Sequence, residues 1–216
     1  MKKVAIIDYQ LSNLCSVKAA CDEVGLDARI TSNIDEILNS DAAILPGVGS
    51  FGPAMNNLKK MGLDNAIKRF IKSKKHFFGV CLGLQLLFES SEEFGFNKGL
   101  GIFKGKVNKF TPKIIRKGKY PVPHVGWSKI YRDKNDWKET PLGNCRRGEY
   151  MYFVHSYYVE PQDQDVILSV STYGEKQYCS SVKKGNIFAT QFHPEKSGKK
   201  GLLIYNSFKS YIEKNE

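Results

Sequence analysis

Residues 76–88 constrain the fold more tightly than any other stretch. A short apolar run, His76-Phe77-Phe78-Gly79-Val80, turns at Cys81 straight into Leu82-Gly83-Leu84-Gln85-Leu86-Leu87-Phe88. The run over 76–80 reads as a buried strand and the segment over 82–88 as a helix. A strand that passes directly into a helix belongs to an alternating βα fold. The rest of the first half keeps that rhythm. Residues 4–7 form a strand. Ser12 can cap a helix whose apolar face is Leu14, Val17, Cys21 and Val24, three and four positions apart. Residues 41–45 are a second buried run ending at Pro46-Gly47. Gly52-Pro53 opens a further helix, with Pro53 tolerated in its first turn. Leu63, Ala66, Ile67, Phe70 and Ile71 mark another helical face. The order predicts an open, mostly parallel sheet with helices on both faces.

The second half changes character. From Gly101 to about Val170 it is rich in Tyr, Phe, Val, Gly and Pro, with alternating patterns such as Tyr150-Met151-Tyr152-Phe153-Val154. Antiparallel strands and long loops added to the same sheet are expected there. Residues 177–182 and 186–192 read as a hairpin closed at Lys183-Lys184-Gly185, and 201–212 as a final helix. With 216 residues, no linker and no internal repeat, residues 1–216 are expected to form one α/β domain.

Composition narrows the function classes. Hydrophobic residues make up 41%, which favours a large core over disorder. No run approaches the ~18 apolar residues of a membrane-crossing helix, and the short apolar run behind Met1-Lys2-Lys3 is no signal-peptide core. A cytoplasmic chain without a membrane partner is expected. Cys15, Cys21, Cys81, Cys145 and Cys179 are odd in number, scattered and without a CxxC pair. That argues against a disulfide framework or a zinc site, and no metal or cofactor is expected. The net charge of +11 admits nucleic acid or a membrane as partner, or a basic docking face. No RNA-binding or helix-turn-helix signature accompanies it, so nucleic acid is not expected. The lysines of Lys72-Ser73-Lys74-Lys75 and Lys199-Lys200 are assigned to helix ends and loops, where they suit the dipole and solvent.

Gly79-Val80-Cys81-Leu82-Gly83 is also a G-x-C-x-G version of the nucleophile elbow. The turn is sharp, so the positions two before and two after the cysteine must lack side chains. The thiol then projects from the sheet edge, and the helix after it aims N–H groups at the sulfur, raising its thiolate fraction. Alone, Cys81 is equally a small core residue between glycines. Gln191-Phe192-His193-Pro194-Glu195 weighs against that. His193 falls at a strand end, where functional groups of open α/β sheets gather. It can take the thiol proton and return it to a leaving group, while Glu195 can accept the second imidazole N–H and fix the tautomer. Leu45-Pro46-Gly47-Val48-Gly49-Ser50-Phe51-Gly52 is a glycine-rich strand-end loop. Gly47 and Gly49 let backbone N–H groups approach a substrate oxyanion, and the Leu82 N–H is a second donor. As a phosphate cradle the loop lacks both P-loop spacing and its Lys-Ser/Thr ending. His76, His124 and His155 show no metal-like spacing.

Together these segments resemble the class I (triad) glutamine amidotransferases, and more narrowly the glutaminase subunits of imidazole glycerol phosphate synthases. The resemblance spans nearly the whole chain. Val122-Pro123-His124-Val125-Gly126-Trp127 and Tyr152-Phe153-Val154-His155-Ser156-Tyr157 carry the narrowing; the elbow and the His-Pro-Glu segment are shared by the wider class. The resemblance implies a flavodoxin-like sheet and a Cys81–His193–Glu195 triad that splits glutamine into glutamate and ammonia through a glutamyl thioester. It implies that Gln85, His155, Ser156 and Tyr157 hold the glutamine. It implies that Gly49 and Leu82 contact the oxyanion, and that the loop at Val48-Gly49 takes part in switching by a partner. The ammonia is then expected to pass, within a heterodimer, to a barrel-shaped cyclase subunit that makes imidazole glycerol phosphate for histidine biosynthesis. Asn13 and Trp127 match positions near the partner surface. Two places depart from the family pattern: Gln10-Leu11-Ser12, where glycines are frequent, and Ser128, where asparagine is. Both fall where the partner is expected, which keeps open a paralogous role in supplying ammonia for sugar amidation in bacterial surface-polysaccharide synthesis. A cysteine peptidase shares the elbow and triad but has no need of Gln85 or of His155-Ser156-Tyr157. An inactive binding module would have lost a triad member.

Overall fold

Continuous apolar runs such as Val4-Ala5-Ile6-Ile7 belong to strands covered on both faces. The computed structural model, which describes residues 2–11, 13–111 and 120–214, arranges them so. Its first half runs β1 (Lys3–Ile7), α1 (Leu14–Glu23), β2 (Asp27–Thr31), α2 (Ile34–Asn39), β3 (Ala42–Gly47), α3 (Phe51–Lys60), α4 (Leu63–Lys72), β4 (His76–Cys81) and α5 (Leu82–Leu86). The second half runs β5 (Ser90–Ser91), β6 (Asn97–Lys98), β7 (Gly105–Lys109), β8 (His124–Arg132), β9 (Glu149–His155), β10 (Tyr157–Pro161), β11 (Ile167–Tyr173), β12 (Lys176–Lys184), β13 (Ile187–Thr190) and α6 (Gly198–Lys214).

Strands β2-β1-β3-β4-β13 form the parallel heart of the sheet. The expected hairpin, β12 with β13, turns the sheet antiparallel. From there β10, β7, β5 and β6 extend it, while β11 carries β8 and β9. The alternation of side chains along β1 divides the core in two. Val4 and Ile6 pack with Val17 and Cys21 of α1 and with Ile204 and Phe208 of α6. Ala5 and Ile7 pack with Ile37, Leu58, Ile67 and Phe70 of α2, α3 and α4. Helices therefore cover both faces, as the βα order requires.

Local chemistry explains where expectation and structure part. β2 and α2 carry no strong periodic signal because each is short. Yet Asn33 caps α2 by accepting from the N–H groups of Asp35 and Glu36, at 2.9 and 3.1 Å. Asn13 occupies the cap position of α1 without a side-chain cap bond; Ser12, the expected cap, lies outside the described residues. α5 stops at Leu86 rather than at residue 88, since the carbonyl of Leu87 accepts from Ile102 and Phe103 instead of continuing the helix. α6 begins at Gly198, three residues early. Lys199 and Lys200 thus sit in its first turn, the positive end of the dipole, contrary to the expected fit. Glu149, 3.4 Å from the Lys200 ammonium, offsets that placement. No described helix is long and apolar enough to cross a membrane.

Candidate active site

The carboxyl ends of β3, β4 and β13 meet at one edge of the sheet, and the register sets Gly47 directly beside Cys81. Cys81 ends β4 at φ 54°, ψ −106°, a backbone conformation that costs a side-chain-bearing residue of order 1–3 kcal/mol. Its surroundings hold it there. A methyl group on Gly83 would strike the Leu45 carbonyl oxygen, and one on Gly79 would press on the Gly83 backbone. The α5 helix starts at the next residue, so its free N–H groups open toward the sulfur. Cys81 Sγ lies 3.9 Å from the Val154 carbonyl oxygen and 3.7 Å from Gln191 Nε2.

His193 stands three residues beyond β13, in a turn pinned by β9. Its N–H donates to the Tyr152 carbonyl at 2.9 Å, and Ser197 Oγ both accepts from the Tyr152 N–H and donates to the His193 carbonyl. Nδ1 lies 2.7 Å from Glu195 Oε1, with both side chains almost fully buried. Nε2 has no hydrogen-bond partner among the described residues. Burial alone would push this imidazole down. The Cys81 sulfur, foremost as a negative charge, and then the hydrogen bond and charge of Glu195 outweigh burial and push it up to about 10. The His193 imidazole therefore favours its protonated form beside the Cys81 sulfur.

A cavity of about 400 Å³ opens over this pair. From the expected set, Val48, Gly49, Cys81, Leu82, Gln85, His155, Ser156, Tyr157 and His193 line it. Gly47 does not; it is buried in β3, so the substrate approach read from the sequence falls to Val48 and Gly49. Glu195 lies behind His193. Gln85 Nε2 donates to the Tyr157 carbonyl at 2.9 Å and to Gln191 Oε1 at 3.2 Å. The polar atoms of the His155 ring point inward, not at the cavity. Its Nδ1 is 2.8 Å from the Tyr157 carbonyl, which can only accept, so Nδ1 carries the proton. Nε2 must then accept from the Tyr178 hydroxyl, whose oxygen accepts from His124 Nδ1, leaving His124 Nε2 to accept from Ser128 Oγ. Burial keeps both imidazoles neutral, lowering His124 to about 4 and His155 to about 3. This chain of hydrogen bonds runs from β8 to the floor of the cavity.

Glu93 is a lining residue the sequence did not single out. Its Oε2 accepts from the Phe51 N–H at 2.7 Å, capping α3 across 42 positions of sequence. Ser-Glu-Glu-Phe-Gly reads as a polar turn, with no signal that one carboxylate turns inward. Lys196, Pro123 and Val154 also line the cavity. They belong to the same three segments that carry His193, His124 and His155, but their own residue types point to no particular chemistry.

One backbone N–H of the glycine-rich loop is turned away from the cavity. The Val48 N–H donates to the Leu11 carbonyl at 3.4 Å instead of facing the thiol. Next to it, Gly49 holds φ +94° with open space around its α-carbon. Gln10, in the stretch that departs from the family pattern, holds φ 68°, which glycine adopts freely and glutamine does not. Trp127 is 54% exposed and packs edge-on against Tyr152, whose carbonyl holds His193. Asn13 Oδ1 accepts from Ser16 Oγ at 3.2 Å.

The family model of class I glutamine amidotransferases matches residues 5–209. The chain is similar to the imidazole glycerol phosphate synthase subunit HisH of Aquifex aeolicus, with 43% identity over 213 residues and 98% of each chain covered. It is also similar to the subunit of the same name from Caldanaerobacter subterraneus, with 46% identity over 211 residues, covering 97% of this chain and 98% of that one. Among solved structures, PurLQS from Thermotoga maritima superposes with a TM-score of 0.72 at 20% identity, over 98% of this chain and 100% of that chain. That likeness is one of fold.

Proposed function

The chain belongs to the class I glutamine amidotransferases, and from that membership we propose that it is the glutamine-hydrolysing subunit of an imidazole glycerol phosphate synthase, with Cys81, His193 and Glu195 as its triad. The observation that carries the reading is the Cys81 elbow set against the buried His193–Glu195 pair beneath one cavity. The Cys81 thiolate attacks the side-chain amide carbon of glutamine, and the carbonyl electron pair moves onto oxygen. The Leu82 N–H meets that oxyanion. His193 gives its Nε2 proton to the amide nitrogen, ammonia leaves, and a glutamyl thioester remains. Neutral His193 then takes a proton from the attacking water. Collapse expels the thiolate, releases glutamate and restores the imidazolium. Glu195 keeps the ring oriented throughout. Glu93, a carboxylate on the cavity wall apart from the triad, suits the α-ammonium group of glutamine.

With the Val48 N–H bonded to Leu11, the chain by itself presents an incomplete oxyanion site. Docking of a barrel-shaped cyclase subunit, in a heterodimer, turns that peptide toward the thiol. The exposed strip of Val125, Trp127 and Tyr150 supports docking at this face, and the resemblance adds Asn13 to it. The released ammonia goes to the cyclase for histidine biosynthesis. A cytoplasmic location accords with five unpaired cysteines.

Glutamate release should be measured for the chain with its cognate cyclase subunit. Cys81→Ala is expected to abolish it, and undiminished release would sink the triad. The gene should restore growth without histidine to a bacterium lacking its own glutaminase subunit when supplied with the cognate cyclase. Failure there, alongside rescue of a strain defective in sugar amidation, would move the ammonia to the other pathway.

A further inference from the structure

The Tyr9 hydroxyl is fully buried and has no hydrogen-bond partner among the described residues. Such groups are rare because an unmade buried hydrogen bond is costly, so its position calls for a reason. Tyr9 lies just beyond β1, and its hydroxyl lies against Gly47. A methyl group there would collide with it and with Leu82 Cβ. The phenol tip therefore sits against the α-carbon of Gly47, next to the first turn of α5.

The peptide that joins Gly47 to Val48 is the one whose N–H is held by the Leu11 carbonyl. A planar peptide carries N–H and C=O on opposite edges. Turning the Val48 N–H toward the thiol must swing the Gly47 carbonyl to the edge the N–H faced at rest, beside the Leu11 carbonyl, which can only accept, so it needs another donor. We propose that Tyr9 is a positioning residue of the turned state, its hydroxyl donating to the Gly47 carbonyl once the Val48 N–H faces the oxyanion. The two arrangements then divide the hydrogen bonds between them. At rest Leu11 holds the N–H and the hydroxyl is unpaired; in the turned state the substrate oxyanion takes the N–H and Tyr9 takes the carbonyl. Gly47 leaves room for the hydroxyl, and Gly49 gives the backbone freedom to turn. The role rests on the reading of Cys81 as nucleophile and of this loop as the partner-driven switch.

The test is Tyr9→Phe, which removes one oxygen, in the complex with the cognate cyclase subunit and its nucleotide substrate. The kcat for glutamine hydrolysis is expected to fall about five- to tenfold, the weight of one hydrogen bond. The KM for glutamine should stay within about twofold, and iodoacetamide should alkylate Cys81 at the wild-type rate. The Tm should be equal or higher, because the oxygen removed was unpaired at rest. A kcat within about twofold of wild type overturns the proposal. So does a lowered Tm with a parallel loss of alkylation, the signature of a packing defect. A wild-type complex that releases no glutamate overturns the glutaminase reading itself, and this role with it.

Discussion

His193 sets the ionisation of the site. Its imidazole is held up to about 10 against an ordinary 6.5, first despite burial and then because of Cys81 and Glu195. A base whose pKa rises on folding binds its proton more tightly in the folded chain. Its contribution to stability is therefore full below about 6.5 and is lost as pH climbs through about 10. NMR of the imidazole should find it protonated at about pH 8, with titration moving well down in Cys81→Ala. An unchanged midpoint in that variant would mean that the sulfur does not hold the proton. Glu195→Gln removes the charge that orients the ring. It should lower kcat by about 10²- to 10⁴-fold while leaving glutamine binding near wild type, read from steady-state kinetics. Cys81, His193 and Glu195, the proposed triad, were legible in the sequence as candidates because each sits in a short local pattern. Glu93 was not, because its direction is set by the N-terminus of α3 and not by its neighbours.

The β4–α5 turn and the β8–β9 pair show how secondary structure positions these side chains. α5 approaches β3 so closely that Gly83 has no space for a methyl group against the Leu45 carbonyl. Gly83→Ala should cost more than about 3 kcal/mol, beyond the ordinary range for a single substitution, with a matching fall in denaturation midpoint. The Ser128–His124–Tyr178–His155 chain joins β8, β12 and β9 through buried imidazoles. Tyr178→Phe keeps the ring and strands His155 Nε2 and His124 Nδ1. A loss of about 1–3 kcal/mol is expected, measured by urea unfolding; a neutral result would mean that the hydroxyl is not their partner. Sequence periodicity located most of these strands and helices, but their ends shifted wherever a distant group took over the backbone hydrogen bonds, as at Leu87.

Taken as a whole, the molecule carries +11 and two buried neutral histidines, and each has a consequence in solution. Unfolding exposes His124 and His155 to water, where they bind protons near 6.5 instead of about 4 and about 3. Protons are taken up on unfolding, so stability should fall as pH drops below about 6.5, while the His193 contribution stays full. Thermal unfolding at about pH 7 and about pH 5 checks this, and an equal Tm at both would count against it. If the proposed cyclase subunit presents an acidic rim, association with it should slow as salt rises, since steering by net charge is screened over about 8 Å at physiological ionic strength. The amino-acid order was enough to establish the βα rhythm and the sharp turn at Cys81, because strand, turn and helix signals act over a few residues. The inward turn of Glu93, the Val48 N–H facing Leu11, the unpaired Tyr9 hydroxyl and the tautomers of two histidines were settled by packing. Each depends on which buried group finds a partner across the sheet, and strand register and helix docking decide that among residues far apart in the chain.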